Sequence, residues 1–299
     1  MRVLVTGGCG FLGGWVVRAL VRRGHEVRIL DARPDTAHLD FVEPGLSSQV
    51  EIRAGDVTAK DEVMRAAEGC GSAVHLAGIM TVDCRRDPLR AANINLIGSL
   101  NLFEAALATG IRQVAYVSTA GIFGPDDGRN PRPMTHYGAL KLAVEGCARA
   151  YFVDHGLRSV GFRPYIIYGP GEGSGISAGP SIACRAAQRG EAAEIRFTGR
   201  VGMVHVEDVA EAFAVAVETE LDGAEAHNLV GEVATIDAFV EELGRQVPGA
   251  RITASGAPLL IASDLEIAPQ PAWLAALPTT SVAEGIARTL AHYAEGRPT

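Results

Sequence analysis

Tyr137 and Lys141 place a phenol and an ammonium group four residues apart in a segment with helical patterning. Residues at this spacing lie on the same face of a helix. A free tyrosine, with a pKa of about 10, is a poor base at neutral pH, but a neighbouring positive charge favours the phenolate and lowers that pKa. The pair is therefore a candidate general acid and base, although an isolated pair of this kind more often lies on a solvent-exposed helix face.

Two hydroxyl residues, Ser118 and Thr119, stand at the end of an apolar run that predicts a strand over 113–118. Ligands of open α/β sheets bind at the carboxyl ends of the strands. A hydroxyl from Thr119 or Ser118 could hold a substrate oxygen while Tyr137 moves a proton. The alternative is that both hydroxyls only satisfy backbone groups in a turn at the strand end.

Three glycines, Gly7, Gly10 and Gly13, stand between a predicted strand over 2–6 and a predicted helix over 11–23. In a dinucleotide site the first glycine permits a tight turn, the second lets the backbone approach a pyrophosphate, and the third lets the helix pack on its strand. The amide groups and the positive end of the helix then hold the phosphates. The combination predicts a dinucleotide site, and the alternative is an ordinary glycine turn.

Asp31 ends the second predicted strand, downstream of the glycine turn. A carboxylate at this place accepts hydrogen bonds from the adenosine ribose and repels a 2′-phosphate, which favours NAD over NADP. Arg33 complicates the choice, since an arginine nearby can accommodate a 2′-phosphate. The alternative for Asp31 is a solvated residue in a turn.

Short apolar runs alternate with longer helical patterns along the first half of the chain. The predicted strands are residues 2–6, 26–30, 50–53, 73–77, 113–118 and 158–163. The predicted helices between them are residues 11–23, 60–68, 88–109 and 136–155. Strands joined by helices form right-handed crossovers and a parallel sheet covered on both faces. We expect an α/β protein with a Rossmann-type doubly wound parallel sheet.

After Pro164 the pattern changes to a glycine-rich stretch and, later, a proline-rich one. We expect a dinucleotide-binding domain over 1–163, to which the segments 204–248 and 281–299 return. A smaller mixed C-terminal region, residues 164–203 and 249–280, is expected to bind the substrate.

Composition excludes several classes of protein. The 299 residues are 47% hydrophobic and 21% charged, so the chain can bury a core and is not mainly disordered. A net charge of −8 argues against nucleic-acid binding. The sequence contains neither an apolar stretch long enough for a membrane span nor a signal-peptide pattern. Five cysteines without a C-x-x-C pair predict a reduced cytoplasmic protein with no disulfide frame and no metal site.

Eight ordered segments resemble the extended short-chain dehydrogenases/reductases of the NAD-dependent epimerase/dehydratase family. They are TGGCGFLG (6–13), GDV (55–57), HLAG (75–78), NINLIGSLNLFEAA (93–106), YVSTAGIFG (116–124), YGALK (137–141), RPYIIYGPG (163–171) and VHVEDVA (204–210). The resemblance implies that Tyr137 is the acid/base, that Lys141 lowers its pKa and holds the nicotinamide ribose, and that Thr119, with Ser118 before it, supplies the second hydroxyl.

The resemblance also implies further cofactor contacts. Asp56 and Val57 would touch adenine, and Asn95 would support the central helix. The other residues that it places at the cofactor are Phe11, Leu12, Leu76, Ala77, Gly78, Tyr165 and Ile166. Members of the family often form homodimers through helices that correspond to 88–109 and 136–155 here.

The substrate is less constrained. Members that act on nucleotide-linked sugars often carry an asparagine where this chain has Ile166, and an arginine from which Arg200 is displaced by one residue. A diphosphate needs hydrogen-bond donors, which an isoleucine lacks, so we favour a smaller substrate without a nucleotide. We expect an NAD-dependent oxidoreductase acting on a carbohydrate-like secondary alcohol or ketone. An NAD-dependent sugar epimerase and a non-catalytic NAD sensor are the alternatives.

Overall fold

The computed structural model describes residues 1–266 and 269–295. Within these residues the main element is a parallel sheet of seven strands: β1 (Arg2–Thr6), β2 (Glu26–Asp31), β3 (Glu51–Ala54), β4 (Ser72–His75), β5 (Gln113–Val117), β6 (Arg158–Pro164) and β10 (Ala224–Leu229). The strands lie side by side in the order β10–β6–β5–β4–β1–β2–β3. The strand order reverses between β1 and β4, and the crevice at such a point is where doubly wound sheets bind ligands.

Helices cover both faces of this sheet. The helices of the described chain are α1 (Phe11–Arg22), α2 (Thr36–Val42), α3 (Lys60–Ala67), α4 (Thr81–Arg86), α5 (Pro88–Ala92), α6 (Gly98–Thr109), α7 (His136–His155), α8 (Gly179–Gln188), α9 (Val206–Glu218), α10 (Ile236–Gln246), α11 (Ala272–Ala275) and α12 (Val282–Ala294). Successive residues of a strand point to opposite faces, so Val3 and Val5 pack in the cluster that includes α1 and α9, and Leu4 packs with α3 and α6. The fold class expected from the sequence is confirmed.

The smaller region contains two short sheets within the described residues. Strands β7 (Ile166–Tyr168), β9 (Arg200–His205) and β11 (Glu232–Thr235) form one, and β8 (Ala192–Ile195) pairs with β12 (Arg251–Ala254) in the other. Because β7 pairs parallel and β11 antiparallel with β9, the region is mixed, as expected.

The segments expected to return to the large sheet divide between the two regions. Helix α9 and strand β10 pack on the large sheet, but α10 and α12 contribute Phe239 and Ile286 to the core that also holds Tyr168 of the smaller region. We propose that α10 and α12 belong to the smaller region, where Phe239 and Ile286 are buried; α12 also packs His292 against Trp15 of α1. The end of the predicted segment, residues 296–299, lies outside the described residues, as do residues 267 and 268.

Several local features differ from the sequence-based expectations, and the short strands of the smaller region were not predicted individually. The helix expected over 88–109 is divided into α5, a π-helical turn at Asn93–Ile97, and α6. Strand β10 was not expected, because its residues lack the continuous apolar run by which the other strands of this sheet were predicted. In the described part of the chain, no helix is long and apolar enough to cross a membrane.

Candidate active site

The predicted phosphate loop joins β1 to α1 at the carboxyl edge of the sheet. Gly7 has a φ of +72°, and a Cβ on it would lie 2.8 Å from the backbone nitrogen of Ala77. A Cβ on Gly13 would overlap the carbonyl oxygen of Gly7. The amide of Gly10 donates to that same oxygen at 3.2 Å, which closes the turn. Only glycine fits at positions 7 and 13 without moving backbone, as a close-packed phosphate loop requires.

The amino-terminal end of α1 is open to an anion. Gly10 is its N-cap, no described side chain caps its amides, and its first turn, which starts with Phe11 and Leu12, carries no acidic residue. Unpaired amides and the positive end of a helix of this length attract phosphate. The loop and the helix end together fit the pyrophosphate of a dinucleotide.

Asp31 lies at the end of β2, next to this loop. Its carboxylate accepts from the amide of Cys9 at 3.1 Å and from the amide of Arg33 at 2.9 Å. Burial, with the nearby Asp31 charge, raises the pKa of the Cys9 thiol to about 11. Two backbone donors thus fix the carboxylate at the loop, and its remaining lone pairs can accept from the hydroxyls of a ribose.

The other residues predicted to hold the cofactor follow the ends of β3 and β4. Asp56 is exposed and accepts from the amide of Thr58 at 2.8 Å, while Val57 is buried beneath it. The amide of Leu76 continues the sheet by donating to Thr6 at 3.0 Å. Of the next two residues, Ala77 is partly buried and Gly78 is exposed.

Asn95 is buried against the residues that follow β4. Its side chain accepts from the amide of Ile79 at 2.8 Å and donates to the carbonyl of Ile79 at 2.9 Å, and it also donates to the sulfur of Cys84 at 3.3 Å. A Cβ on Gly78 would lie 2.8 Å from the Asn95 amide oxygen. Asn95 therefore holds the backbone after β4 in place.

Tyr137 lies in the first turn of α7, which the Thr135 hydroxyl caps by accepting from the amide of Gly138 at 3.0 Å. The Tyr137 side chain is mostly buried and packs with Cys84 and Ala91. Burial raises the pKa of Tyr137 above its usual value, and the nearby Cys84 adds to the effect. Desolvation of the phenolate is the largest cause of this shift, and Lys141 is not among its causes in the cofactor-free structure.

Lys141 lies one turn further along α7, beneath the same cleft. Its ammonium group donates to the carbonyl of Val117 at 2.8 Å and lies 5.7 Å from the centre of the Tyr137 ring. Burial lowers the pKa of Lys141 to about 8. The predicted pair is thus brought together on one helix face and is anchored to the end of β5.

The two hydroxyls that follow β5 have different partners. Thr119 accepts from the amide of Gly121 at 3.0 Å, and no described group accepts its hydroxyl hydrogen. Ser118 is fully buried, and its hydroxyl donates to the Glu145 carboxylate at 2.5 Å. Of the two predicted hydroxyls, the structure leaves only Thr119 with a hydrogen to donate to a ligand.

Glu145 was not singled out in the sequence. It is 1% exposed, and its carboxylate accepts from Arg163 Nε at 2.8 Å and Arg163 Nη2 at 2.6 Å, besides Ser118. The ion pair ties α7 to the ends of β5 and β6. The sequence did carry a signal for Glu145: a carboxylate one helical turn after Lys141, on the same helix face as Tyr137.

The residues after β6, which were predicted to contact the cofactor, are buried in the core of the smaller region. Ile166 is 1% exposed, and the hydroxyl of Tyr165 donates to the carbonyl of Ile261 at 3.2 Å. Arg200 is exposed on β9, whereas the next residue, Val201, is buried in the core of the smaller region. The side chains of Ile166 and Val201 offer no hydrogen-bond donor.

The sequence of this chain matches a family model and is similar to many curated proteins, two of which are described below. Residues 3–230 match the NAD dependent epimerase/dehydratase family. The 3 beta-hydroxysteroid dehydrogenase type 7 of Homo sapiens is 36% identical over 154 residues, which are 49% of this chain and 41% of the relative. The ceramide reductase of Caulobacter vibrioides (strain NA1000 / CB15N) is 32% identical over 222 residues, 74% of this chain and 62% of the relative. The chain spans about half the length of these relatives.

The similarity to a solved structure extends over the whole chain. The crystal structure of the UDP-glucose 4-epimerase of Thermus thermophilus in complex with NAD superposes with a TM-score of 0.80 at 30% identity, and the match covers 98% of this chain and 99% of the other. The family match covers most of the chain and includes the phosphate loop and the Tyr137 helix. This protein belongs to the NAD-dependent epimerase/dehydratase family.

Proposed function

We propose that this protein is an NAD-dependent oxidoreductase that moves a hydride between the nicotinamide and a secondary alcohol or ketone. One observation supports the proposal: Lys141 lies beside the Tyr137 ring and donates to the carbonyl of Val117, two residues before Thr119 at the carboxyl end of β5. A non-catalytic NAD sensor has no need of an acid/base pair, so we place that alternative last.

Several residues are suited to hold the cofactor. The amides of the loop from Gly7 to Gly13 would bind the pyrophosphate, Asp31 the adenosine ribose, and Lys141 the nicotinamide ribose. When bound, NAD would supply the ring that takes or returns the hydride, and its positive charge in the oxidised form favours a phenolate beside it. The Asp31 carboxylate favours NAD over NADP, because it repels a 2′-phosphate.

The chain itself supplies the proton chemistry. During oxidation of an alcohol, Tyr137 Oη takes the hydroxyl proton as the carbon loses its hydride, and during reduction it returns the proton. Thr119 donates a hydrogen bond to the substrate oxygen and stabilises its developing charge. Lys141 supplies a positive charge next to the phenol. Since burial alone raises the pKa of Tyr137, the acid/base role requires these charges to act together.

We propose a substrate that carries no nucleotide. The buried side chains of Ile166 and Val201 cannot donate to a diphosphate, and Arg200 lies one residue away on β9, so the pleat turns it to the opposite side from Val201. Around the cleft, Met80 and Met134 are about half exposed, which provides apolar contact. A carbohydrate-like alcohol remains our first choice, and the names of the two curated relatives make sterols and ceramides the next compounds to test.

The second candidate function is a sugar epimerase that oxidises and then re-reduces its substrate on the same cofactor. The whole-length similarity to a UDP-glucose 4-epimerase favours it. Such an enzyme produces no net NADH, so the two candidates differ in the absorbance of the cofactor.

The deciding experiment is a substrate screen with NAD and NADP separately, following NADH absorbance and product formation together. Net reduction of NAD by an alcohol without a nucleotide supports the first candidate, and a UDP-sugar product formed without NADH supports the second. The Tyr137→Phe variant serves as the control: it should bind NAD as tightly as the wild type but turn over at least about a hundredfold more slowly. Undiminished turnover would exclude Tyr137 as the base.

We also propose a homodimer formed through α5, α6 and α7, the helices within residues 88–109 and 136–155. Leu89 on α5 is 81% exposed and Val153 on α7 is 80% exposed, so each of these helices carries a large apolar side chain that a second copy could cover. A double substitution, Leu89→Lys with Val153→Lys, should convert the dimer to a monomer in sedimentation experiments. A wild-type protein that sediments as a monomer at high concentration would contradict this proposal.

A further inference from the structure

A buried chain of hydrogen bonds runs beneath the cleft, between the two walls that enclose it. Its centre is His75, the last residue of β4, which is 1% exposed. On one side His75 Nδ1 lies 2.6 Å from the hydroxyl of Thr6, at the end of β1. On the other, His75 Nε2 lies 2.9 Å from the hydroxyl of Ser99, in α6.

The partners of each group determine which one donates in every hydrogen bond through His75. The Ser99 hydroxyl donates to the carbonyl of Asn95 at 2.7 Å, so it accepts from His75 Nε2. A neutral imidazole with its hydrogen on Nε2 has an acceptor at Nδ1, and that acceptor takes the hydrogen of Thr6. The Thr6 oxygen in turn accepts from the amide of Ala77 at 3.4 Å. Burial, together with the nearby Lys141 charge, lowers the pKa of His75 to about 3, so the ring stays neutral at physiological pH.

The two ends of the chain reach the two halves of the candidate site. Ala77 is the residue against which Gly7 of the phosphate loop packs. Asn95 holds the backbone of Ile79 through two hydrogen bonds and contacts Cys84, which packs with Tyr137. His75 thus connects the phosphate side of the cleft to the side that carries the proton chemistry.

We propose that His75 is a positioning residue that sets the distance between the phosphate loop and the Asn95 segment, and so aligns the cofactor with Tyr137. This inference rests on the function proposed above. The side chain touches neither the cleft nor the acid/base pair, so it acts through Ala77 on one side and Asn95 on the other. Because its two nitrogens serve different walls, the two halves of its role are separable.

Two substitutions of His75 separate the contact with Thr6 from the contact with Ser99. His75→Asn keeps an acceptor near the Nδ1 position for Thr6 and loses the donor to Ser99. His75→Gln keeps a donor near the Nε2 position for Ser99 and loses the acceptor for Thr6. We expect His75→Asn to lower kcat about tenfold with little change in the Kd for NAD, and His75→Gln to raise that Kd about tenfold with little change in kcat.

A second measurement needs neither substrate nor cofactor. Amide hydrogen exchange in the cofactor-free protein should be faster at Ile79 in His75→Asn and faster at Ala77 in His75→Gln. The reason is that each variant breaks a different end of the chain of hydrogen bonds through His75. The matched control is Gln113→Leu, which changes another buried polar side chain, at the amino-terminal end of β5 and away from the candidate site. Gln113 donates there to the carbonyls of Ala216 and Thr219. It should reduce stability without changing Kd, kcat or exchange at the two amides.

The outcomes distinguish this inference from the proposed function. If both His75 variants lose only stability, as the control does, His75 has a structural role alone and the inference is overturned, while the Tyr137 assignment stands. The same holds if the two variants are indistinguishable in Kd, kcat and exchange. If the wild type binds no NAD, the proposed function fails, and a split in amide exchange would then support only the coupling of the two walls.

Discussion

The buried ion pair between Glu145 and Arg163 allows a quantitative test of how the candidate site is held. Three donors, the Ser118 hydroxyl and two nitrogens of Arg163, converge on the Glu145 carboxylate at 2.5 to 2.8 Å. In Glu145→Gln, one carboxylate oxygen becomes an amide group, which is a donor and faces the guanidinium. The arginine charge then remains in a mostly buried site with its best acceptor removed.

Breaking a buried pair by removing one partner costs about 3–5 kcal/mol, because an uncompensated charge is left behind. A domain has only about 5–15 kcal/mol of stability, so this loss should be large in denaturant unfolding. The double variant Glu145→Leu with Arg163→Met should lose much less than the sum of its single changes, since no charge is then stranded. The matched control is Glu220→Gln at the exposed pair with Arg158, where about 0–1 kcal/mol is expected.

The measurement is urea unfolding followed by circular dichroism at pH 7, with the slope of the transition compared among variants. A Glu145→Gln cost below about 1 kcal/mol, equal to that of the exposed pair, would refute the reasoning. Activity supplies a second readout, because the pair ties the helix of Tyr137 and Lys141 to the ends of β5 and β6. Glu145→Gln should lower kcat in the protein that remains folded.

Three further changes test other parts of the structure. Gly13→Ala should abolish measurable NAD binding and lower the free energy of unfolding by about 1–3 kcal/mol, since its methyl group would overlap the Gly7 carbonyl. Gly244→Ala, which has open space around it, should change neither NAD binding, measured by calorimetry, nor stability, measured by denaturant unfolding. Asp31→Ser should reduce the preference for NAD over NADP roughly tenfold in Kd measurements, and an unchanged ratio would contradict the ribose assignment. Burial lowers the pKa of His75 from 6.5 to about 3, so below pH 6.5 the unfolded chain binds a proton that the folded chain does not. The free energy of unfolding should therefore fall with decreasing pH by up to about 1.4 kcal/mol per unit from this group, and His75→Phe should flatten that slope between pH 4 and 6 in unfolding titrations.

Features that depend on neighbouring residues were predictable from the sequence. Strand β1 and helix α7 have the bounds expected for them, because an apolar run before a glycine turn and a capped helix are local patterns. The spacing of Tyr137 and Lys141 follows from helix geometry alone. The glycine spacing likewise predicted a loop in which Gly7 and Gly13 leave no room for a Cβ.

Features that depend on distant residues were not predictable in this way. The sequence could not choose between Ser118 and Thr119, because the choice is made by Glu145, which reaches Ser118 only when α7 packs across the end of β5. Strand β10 joins the sheet through its parallel pairing with β6, whose residues are far from it in the sequence. The π-helical turn at Asn93–Ile97 interrupts a segment whose pattern predicts one continuous helix.

The chemistry of individual groups shows the same division. The amino-acid sequence alone determined that a phenol and an ammonium group share a helix face, and that a glycine turn precedes a helix. Only the tertiary structure decided that burial raises the pKa of Tyr137 and lowers that of Lys141, and that His75 bridges two walls of the cleft. The physical reason is that desolvation and hydrogen-bond partners come from segments far apart in the chain, whereas spacing and backbone conformation are set within a few residues.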